Sequence, residues 1–395
     1  MRTVEEHIDE IKNRADMVDN QLIELVECEN PYGKHWQRYT RLNIGVKDIR
    51  PRFGKFTTPW NTPNRKDLWP FPKLRYIGDS LEDVLNDRAL ELFQKARDTD
   101  RDIYIMWSGG IDSSGVLAAF IQTLSEADRE ILTVVMSTDC VLENPDFYKR
   151  HISGKLKIIQ VNQVDVSNEF LEKHMLLHGD PGDCLYGPSI GAFAHLIESK
   201  QHLLPANENR HIIKTFYDRQ QSKWAHPDFG EWYVNKVADN FAEANLENAY
   251  TIADYWWWHY FNLKYQFSMQ RPLQHMVKDY KRGLREDIYA RFINEVFFHT
   301  ERMQQWSYSN LQTFYEKVHL GERGTKWQAR DYLHKFDGND RYYYHKAKIA
   351  SNATDRERRQ LEISPFYYDH TNCGWYPWET GVTEAIRYFL ENYEG

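Results

Sequence analysis

The chain has 395 residues, of which 41% are hydrophobic and 27% charged, and a formal net charge of −8. A single core rarely grows past roughly 250–300 residues, so two domains are expected. No apolar run approaches the ~20 residues a membrane-spanning helix needs, and the acidic balance argues against a surface built to coat nucleic acid. Four cysteines, Cys28, Cys140, Cys184 and Cys373, lie far apart with no CxxC pair, which argues against a zinc ribbon. No HExxH or similarly tight histidine spacing occurs, so no catalytic zinc is expected. The charged start, MRTVEEHIDEIKNRADMVDN, has no apolar h-region, so the expectation is a cytoplasmic protein with reduced thiols and no membrane association.

In chain order, residues 1–26 read as a helix, with Val4, Ile8, Ile11, Met17, Leu22 and Leu25 apolar. Residues 29–78 are rich in Pro, Gly, Trp and Arg without a period and read as an irregular wrap. Ser80 with Asp83 three residues on forms a capping-box pattern that predicts a helix to about Arg97. Ile103–Trp107 is a short apolar run suited to a buried parallel strand, followed by glycines and a helix through Val116, Leu117, Phe120 and Leu124. Further strands are predicted over 131–136, 157–161 and 175–177, which together suggest an open α/β sheet. Beyond about residue 188 the pattern is mostly helical, with Trp256–Trp258 and Phe297–Phe298 as buried anchors. The expected division is an N-terminal helix and wrap (1–98), an α/β domain (99–200) and a helical C-terminal region contributing to the site (201–395).

Ligands of open α/β sheets bind at the carboxyl ends of strands, beside helix N-termini. Ser108-Gly109-Gly110-Ile111-Asp112-Ser113-Ser114 falls there. Paired glycines admit close approach of backbone N–H groups to phosphate, the helix dipole favours an anion, and Ser108, Ser113 and Ser114 add hydroxyls. Asp112 would repel phosphate unless a hard cation such as Mg²⁺ joins the two. A bare Gly-Gly is only a tight turn. The full run between an apolar strand and an amphipathic helix goes further, and neither GxxxxGK[ST] nor a good GxGxxG is present.

This strand followed by SGGxDS resembles the PP-loop of the ATP pyrophosphatase superfamily, and in particular the synthetase domain of asparagine synthetase and β-lactam synthetase. The resemblance implies an open parallel Rossmann-like sheet of the adenine nucleotide alpha hydrolase type. It also implies ATP with Mg²⁺, and cleavage of ATP to AMP and pyrophosphate. Ser108, Gly109, Gly110, Ile111, Asp112, Ser113 and Ser114 would bind nucleotide. Adenine would lie near Val135–Ser137, bringing in Ser137. About 70 residues on, Gly179-Asp180-Pro181-Gly182-Asp183 resembles the GEGxDELFGG segment of asparagine synthetases. By that likeness Asp183 shares Mg²⁺ with Asp112, Asp180 takes the proton of an attacking amine, and Gly182 lines the nucleotide. Asp180 stands where the family has Glu, Pro181 where it has Gly and Cys184 where it has Glu, which bears on the substrate more than on the ATP chemistry. Read without the resemblance, the segment is a polar turn joining strand to helix.

From Glu322 to Gln360 there are ten Lys/Arg against six Asp/Glu. A cation is needed where pyrophosphate leaves, and the family places a catalytic Lys in a late basic loop. Lys346, then Lys348, are the matching candidates, and Lys326 with Arg330 resembles the helix start preceding that loop. A solvated basic face is the plain alternative. Glu295-Val296-Phe297-Phe298 bears a faint likeness to the family's EvRxPFLD stretch.

The N-terminal glutaminase domain of glutamine-using members, with its cysteine after the initiator Met, is not matched, since Arg2 stands there. The function expected is therefore an ATP-dependent carbon–nitrogen ligase. It would adenylate a carboxylate or amide-type oxygen of a small molecule and then use an amine or ammonia, the ammonia either free or from a separate donor. Two other readings stay open: a PP-loop enzyme modifying a nucleobase or nucleic acid, and a non-catalytic nucleotide-binding protein.

Overall fold

The computed structural model describes residues 52–53, 71–136, 139–187, 194–220, 227–266, 268–269, 284–317, 326–345, 366–369 and 374–377. The helix expected over 1–26 and most of the wrap expected over 29–78 lie outside them. The main elements are α1 (Leu81–Asp98), β1 (Asp102–Met106), α2 (Ile111–Thr123), β2 (Leu132–Met136), β3 (Lys157–Gln160), α3 (Asn168–Lys173) and β4 (His174–Leu177). After these come α4 (Arg210–Gln220), α5 (Pro227–Ala244), α6 (Ile252–Trp258), α7 (Glu286–Glu295), α8 (Glu301–Ser309), α9 (Trp327–Asp337) and α10 (Asp340–His345). The last two are β5 (Phe366–Asp369) and β6 (Gly374–Pro377), an antiparallel pair in a region read from sequence as helical.

The chain divides into two compact units. One takes in the described residues up to Lys73, Asp183–Gln270 and Leu311–Thr313; the other takes in Leu74–Gly182 and the described parts of Arg271–Asn310 and of the chain from Phe314 onward. This grouping is not the expected 1–98, 99–200 and 201–395. The α/β unit ends at Gly182 and recruits α7 to α10 from the distant C-terminal half. Apolar periodicity marks where a helix is, and burial against a particular neighbour decides which unit it joins.

In the α/β unit four parallel strands lie in the order β3-β2-β1-β4. The α/β class and the four expected strands are present, each within two residues of its expected bounds. Both faces of the central strands are covered, which is why β2 is buried throughout and reads as Leu-Thr-Val-Val-Met rather than as an alternating pattern. β3 is the exposed edge. α1 begins at the Ser80/Asp83 capping box, with Ser80 Oγ accepting from the Asp83 N–H at 3.1 Å. Its apolar face packs on α2, and α9 packs on both.

Arg101 and Glu295 tie β1 to α7 through two hydrogen bonds of 3.1 and 2.5 Å, with side chains 1% and 3% exposed. Glu295 is therefore a structural anchor, and Phe297 and Phe298 beside it are buried, as expected.

The other unit answers for part of the chain's 13 Trp and 25 Tyr. Trp257, Trp258, Tyr233, Tyr255 and Tyr265 are all fully buried there. Arg52 threads this cluster with its guanidinium 4.0 Å from the centre of the Tyr265 ring and 4.9 Å from that of Phe261. Burial lowers its pKa to about 10. Among the described residues no helix is long and apolar enough to cross a membrane.

Candidate functional site

β1 is flanked by β2 on one side and β4 on the other, so the chain reverses its direction of growth across the sheet at β1/β4. In open α/β sheets such a reversal opens a crevice at the carboxyl ends of the two strands. Ile105 pairs with Leu177 in register, so the segments leaving β1 and β4 emerge side by side. These are the two loops singled out from the sequence.

The first loop is held from below. The Trp107 N–H donates to Val135 O at 2.9 Å, and its indole Nε1–H donates to Ser114 Oγ at 3.1 Å. Gly109 has φ +73°, and a Cβ there would lie 2.4 Å from Cys140 O and 2.8 Å from Glu143 Cβ. Only glycine satisfies both the left-handed backbone and the close approach of that turn. Gly110 is the N-cap of α2 and supplies no side-chain cap, which leaves the positive end of the helix open.

Ser108, Ser113 and Gly110 form a local network. The N–H of Ser108 donates to Ser113 Oγ at 3.1 Å, the two hydroxyls are 3.0 Å apart, and the Gly110 N–H lies 3.3 Å from Ser108 Oγ. Ser113 and Ser114 are 4% and 0% exposed. Their hydroxyls brace the loop, and Ser108 is the less buried of the three.

The second loop closes onto the first. A Cβ on Gly179 would lie 2.7 Å from the Ser113 nitrogen, and one on Gly182 would lie 2.9 Å from the Asp112 carboxylate carbon. The Asp180–Pro181 peptide is cis, and the Asp180 N–H donates to His178 Nδ1 at 3.2 Å. Asp180 is half-buried.

Asp112 Oδ2 lies 2.5 Å from the Lys326 ammonium, with the two side chains 22% and 11% exposed. Lys326 heads α9 in a left-handed conformation, φ 55° and ψ 38°. Arg330, one turn along α9, donates to Tyr343 O at 3.0 Å rather than to the loop. Asp183 belongs to the other unit, where Lys264 lies 3.2 Å from its Oδ2. Lys264 ends a π-helical stretch, His259–Lys264, and its side chain is 9% exposed. Cys184, next to Asp183, is buried with Sγ 3.9 Å from Ser268 Oγ.

Ser137, Lys346 and Lys348 lie outside the described residues. Sequence reasoning missed three groups. Glu143, 2% exposed, abuts Gly109 and Gly110; no local pattern marks it. Tyr342 donates to Gly109 O at 3.0 Å, and burial first, then Glu143, raises its pKa well above the ordinary phenol value. Lys264 carries no motif, and only its partner Asp183 was visible.

Among the described residues no three His, Cys, Asp or Glu side chains gather to hold a metal ion. Mg²⁺ asks for less than that, taking one or two carboxylates with phosphate oxygens and water, and Asp112 at an open helix N-terminus suits it. No protein-family model matches the chain, and no curated protein or solved structure matches it either.

Proposed function

We propose that the chain binds ATP with Mg²⁺ at the β1/β4 crevice and acts as an AMP-forming carbon–nitrogen ligase, on a sheet of the adenine nucleotide alpha hydrolase type. One observation carries this reading: two glycine-bearing acidic loops leave adjacent parallel strands at the sheet's switch point and close onto each other at Asp112. Either loop alone would be an ordinary turn.

The nucleotide's phosphates would lie over Gly109–Gly110, against the uncapped start of α2. Asp112 is the residue that would hold Mg²⁺ in this unit. The cation supplies neutralisation of phosphate charge. A substrate carboxylate (or amide-type oxygen) attacks the α-phosphorus; the bond from that phosphorus to the bridging oxygen breaks, and pyrophosphate leaves. Lys326, already at the loop, stabilises the departing charge. Lys346 and Lys348, outside the described residues, are proposed from the resemblance to add to that stabilisation. An amine or ammonia then attacks the acyl carbon, AMP leaves, and Asp180 takes the nitrogen's proton.

Of the described part of the basic segment, Arg330 is buried and donates to the Tyr343 carbonyl, so that cation is not presented to nucleic acid.

The test is incubation with Mg²⁺ and α-labelled ATP, with pools of amino acids, small carboxylates and ammonium. AMP and pyrophosphate that form with one pool, and are lost in Asp112→Asn, support the proposal. ADP as product would refute the assignment of the loop. ATP binding with no cleavage under any pool would point to a nucleotide-binding protein without catalysis.

A further inference from the structure

Among the described residues, one cation at the loop is bonded to the carboxylate assigned to Mg²⁺. Lys326 Nζ holds Asp112 Oδ2, so it and a divalent metal would compete for the same carboxylate charge. The pair is partly desolvated, at 11% and 22% side-chain exposure, so neither charge is well screened by water. Displacing Lys326 by a bare metal ion would leave its ammonium in a poorly hydrated place without an anion, which is costly. Buried Glu143, beside Gly109 and Gly110, adds a second negative group at the loop. A nucleotide arriving without a cation would meet both carboxylates. A metal and a polyphosphate arriving together satisfy every partner: the metal takes Asp112, and the phosphate oxygens take the ammonium.

Resting on the ATP reading above, we infer that Lys326 and Asp112 form an exchangeable pair: the lysine excludes free divalent metal from Asp112 and moves to the nucleotide's phosphates when metal and nucleotide enter together. Lys326 thus has two duties of opposite effect, opposing metal alone and favouring nucleotide. Its place at the head of α9 suits the second, because the helix's positive end adds to the ammonium's attraction for phosphate.

The experiment separates these duties with two probes on the full chain. Mn²⁺, a carboxylate-seeking spin probe, is titrated by electron paramagnetic resonance without nucleotide. ATP binding is measured by equilibrium dialysis in EDTA and again with Mg²⁺. In Lys326→Met, Mn²⁺ should bind at least tenfold more tightly than in the wild type, and metal-free ATP at least tenfold more weakly. Asp112→Asn combined with Lys326→Met should abolish the Mn²⁺ gain. Lys326→Arg should keep metal excluded, and Lys326→Gln serves if the Met variant does not fold. A fixed structural ion pair predicts that both affinities fall together or neither changes, and either result overturns the exchange. A wild type that binds no ATP even with Mg²⁺ refutes the ATP reading and with it the phosphate half of the exchange. The Mn²⁺ arm still decides separately whether Lys326 blocks the carboxylate.

Discussion

Replacing Gly109 with alanine, set beside the same change at Gly115, tests how the loop is built. At φ +73° an alanine adopts a left-handed backbone at about 1–2 kcal/mol. Its Cβ would also meet Cys140 O at 2.4 Å and Glu143 Cβ at 2.8 Å, and the first of these is backbone that cannot swing aside. Overpacking of that kind costs about 1–3 kcal/mol, so Gly109→Ala should destabilise by about 2–5 kcal/mol. Gly115 lies inside α2 with nothing within 4 Å of an added Cβ, although the residue is buried. Gly115→Ala should therefore stabilise by up to about 1 kcal/mol, because alanine is the better helix former. Urea unfolding followed by tryptophan fluorescence gives both values, and ATP binding in the folded fraction reports on the loop. A Gly109→Ala midpoint at or above the wild type would refute the account of the turn. So would a Gly115→Ala loss as large as that of Gly109→Ala.

Three further outcomes are expected. Gly182→Ala should weaken ATP·Mg²⁺ binding at least tenfold, as read by dialysis, with only a small loss in urea stability. The new methyl would sit 2.9 Å from the Asp112 carboxylate, whose flexible end can yield but then leaves its position. Glu295→Ala should cost about 3–5 kcal/mol, since it strands Arg101 at 1% exposure, and a urea-measured loss below 1 kcal/mol would contradict that. His259 is wholly buried beside the Tyr233 hydroxyl at 2.7 Å, and burial lowers its pKa to about 3 from an unfolded value near 6.5. Because the folded value is the lower one, the contribution is whole above pH ~6.5 and is lost as pH falls toward 3, by up to about 1.4 kcal/mol per pH unit. Urea midpoints across pH 4–8 for the wild type and His259→Phe should diverge in slope below pH ~6.5, and parallel curves would count against the burial argument.

Much of this architecture was legible locally. The Ser80/Asp83 box, the apolar runs of β1 to β4 and the Ser108–Ser114 loop each depend on residues near one another in sequence. Backbone propensity, strand burial and the close approach that glycine permits act over such short ranges. The Trp256–Trp258 run likewise announced a buried anchor before any neighbour was known. What stayed hidden depended on which distant segments pack together. Nothing near Lys326 indicates that its ammonium meets Asp112, 214 positions away, and nothing near Lys264 points to Asp183, 81 positions away. Glu143 sits in an unremarkable stretch and acquires its place beside the loop only because its turn folds over Gly109. Placing β4 beside β1 turned two loops about 70 residues apart into one candidate site. The sequence by itself determined the elements and the chemistry each loop could offer. The tertiary structure decided the partners, because a charge's environment is set by what surrounds it in space, and the long-range burial that assembles those surroundings leaves no periodic trace along the chain.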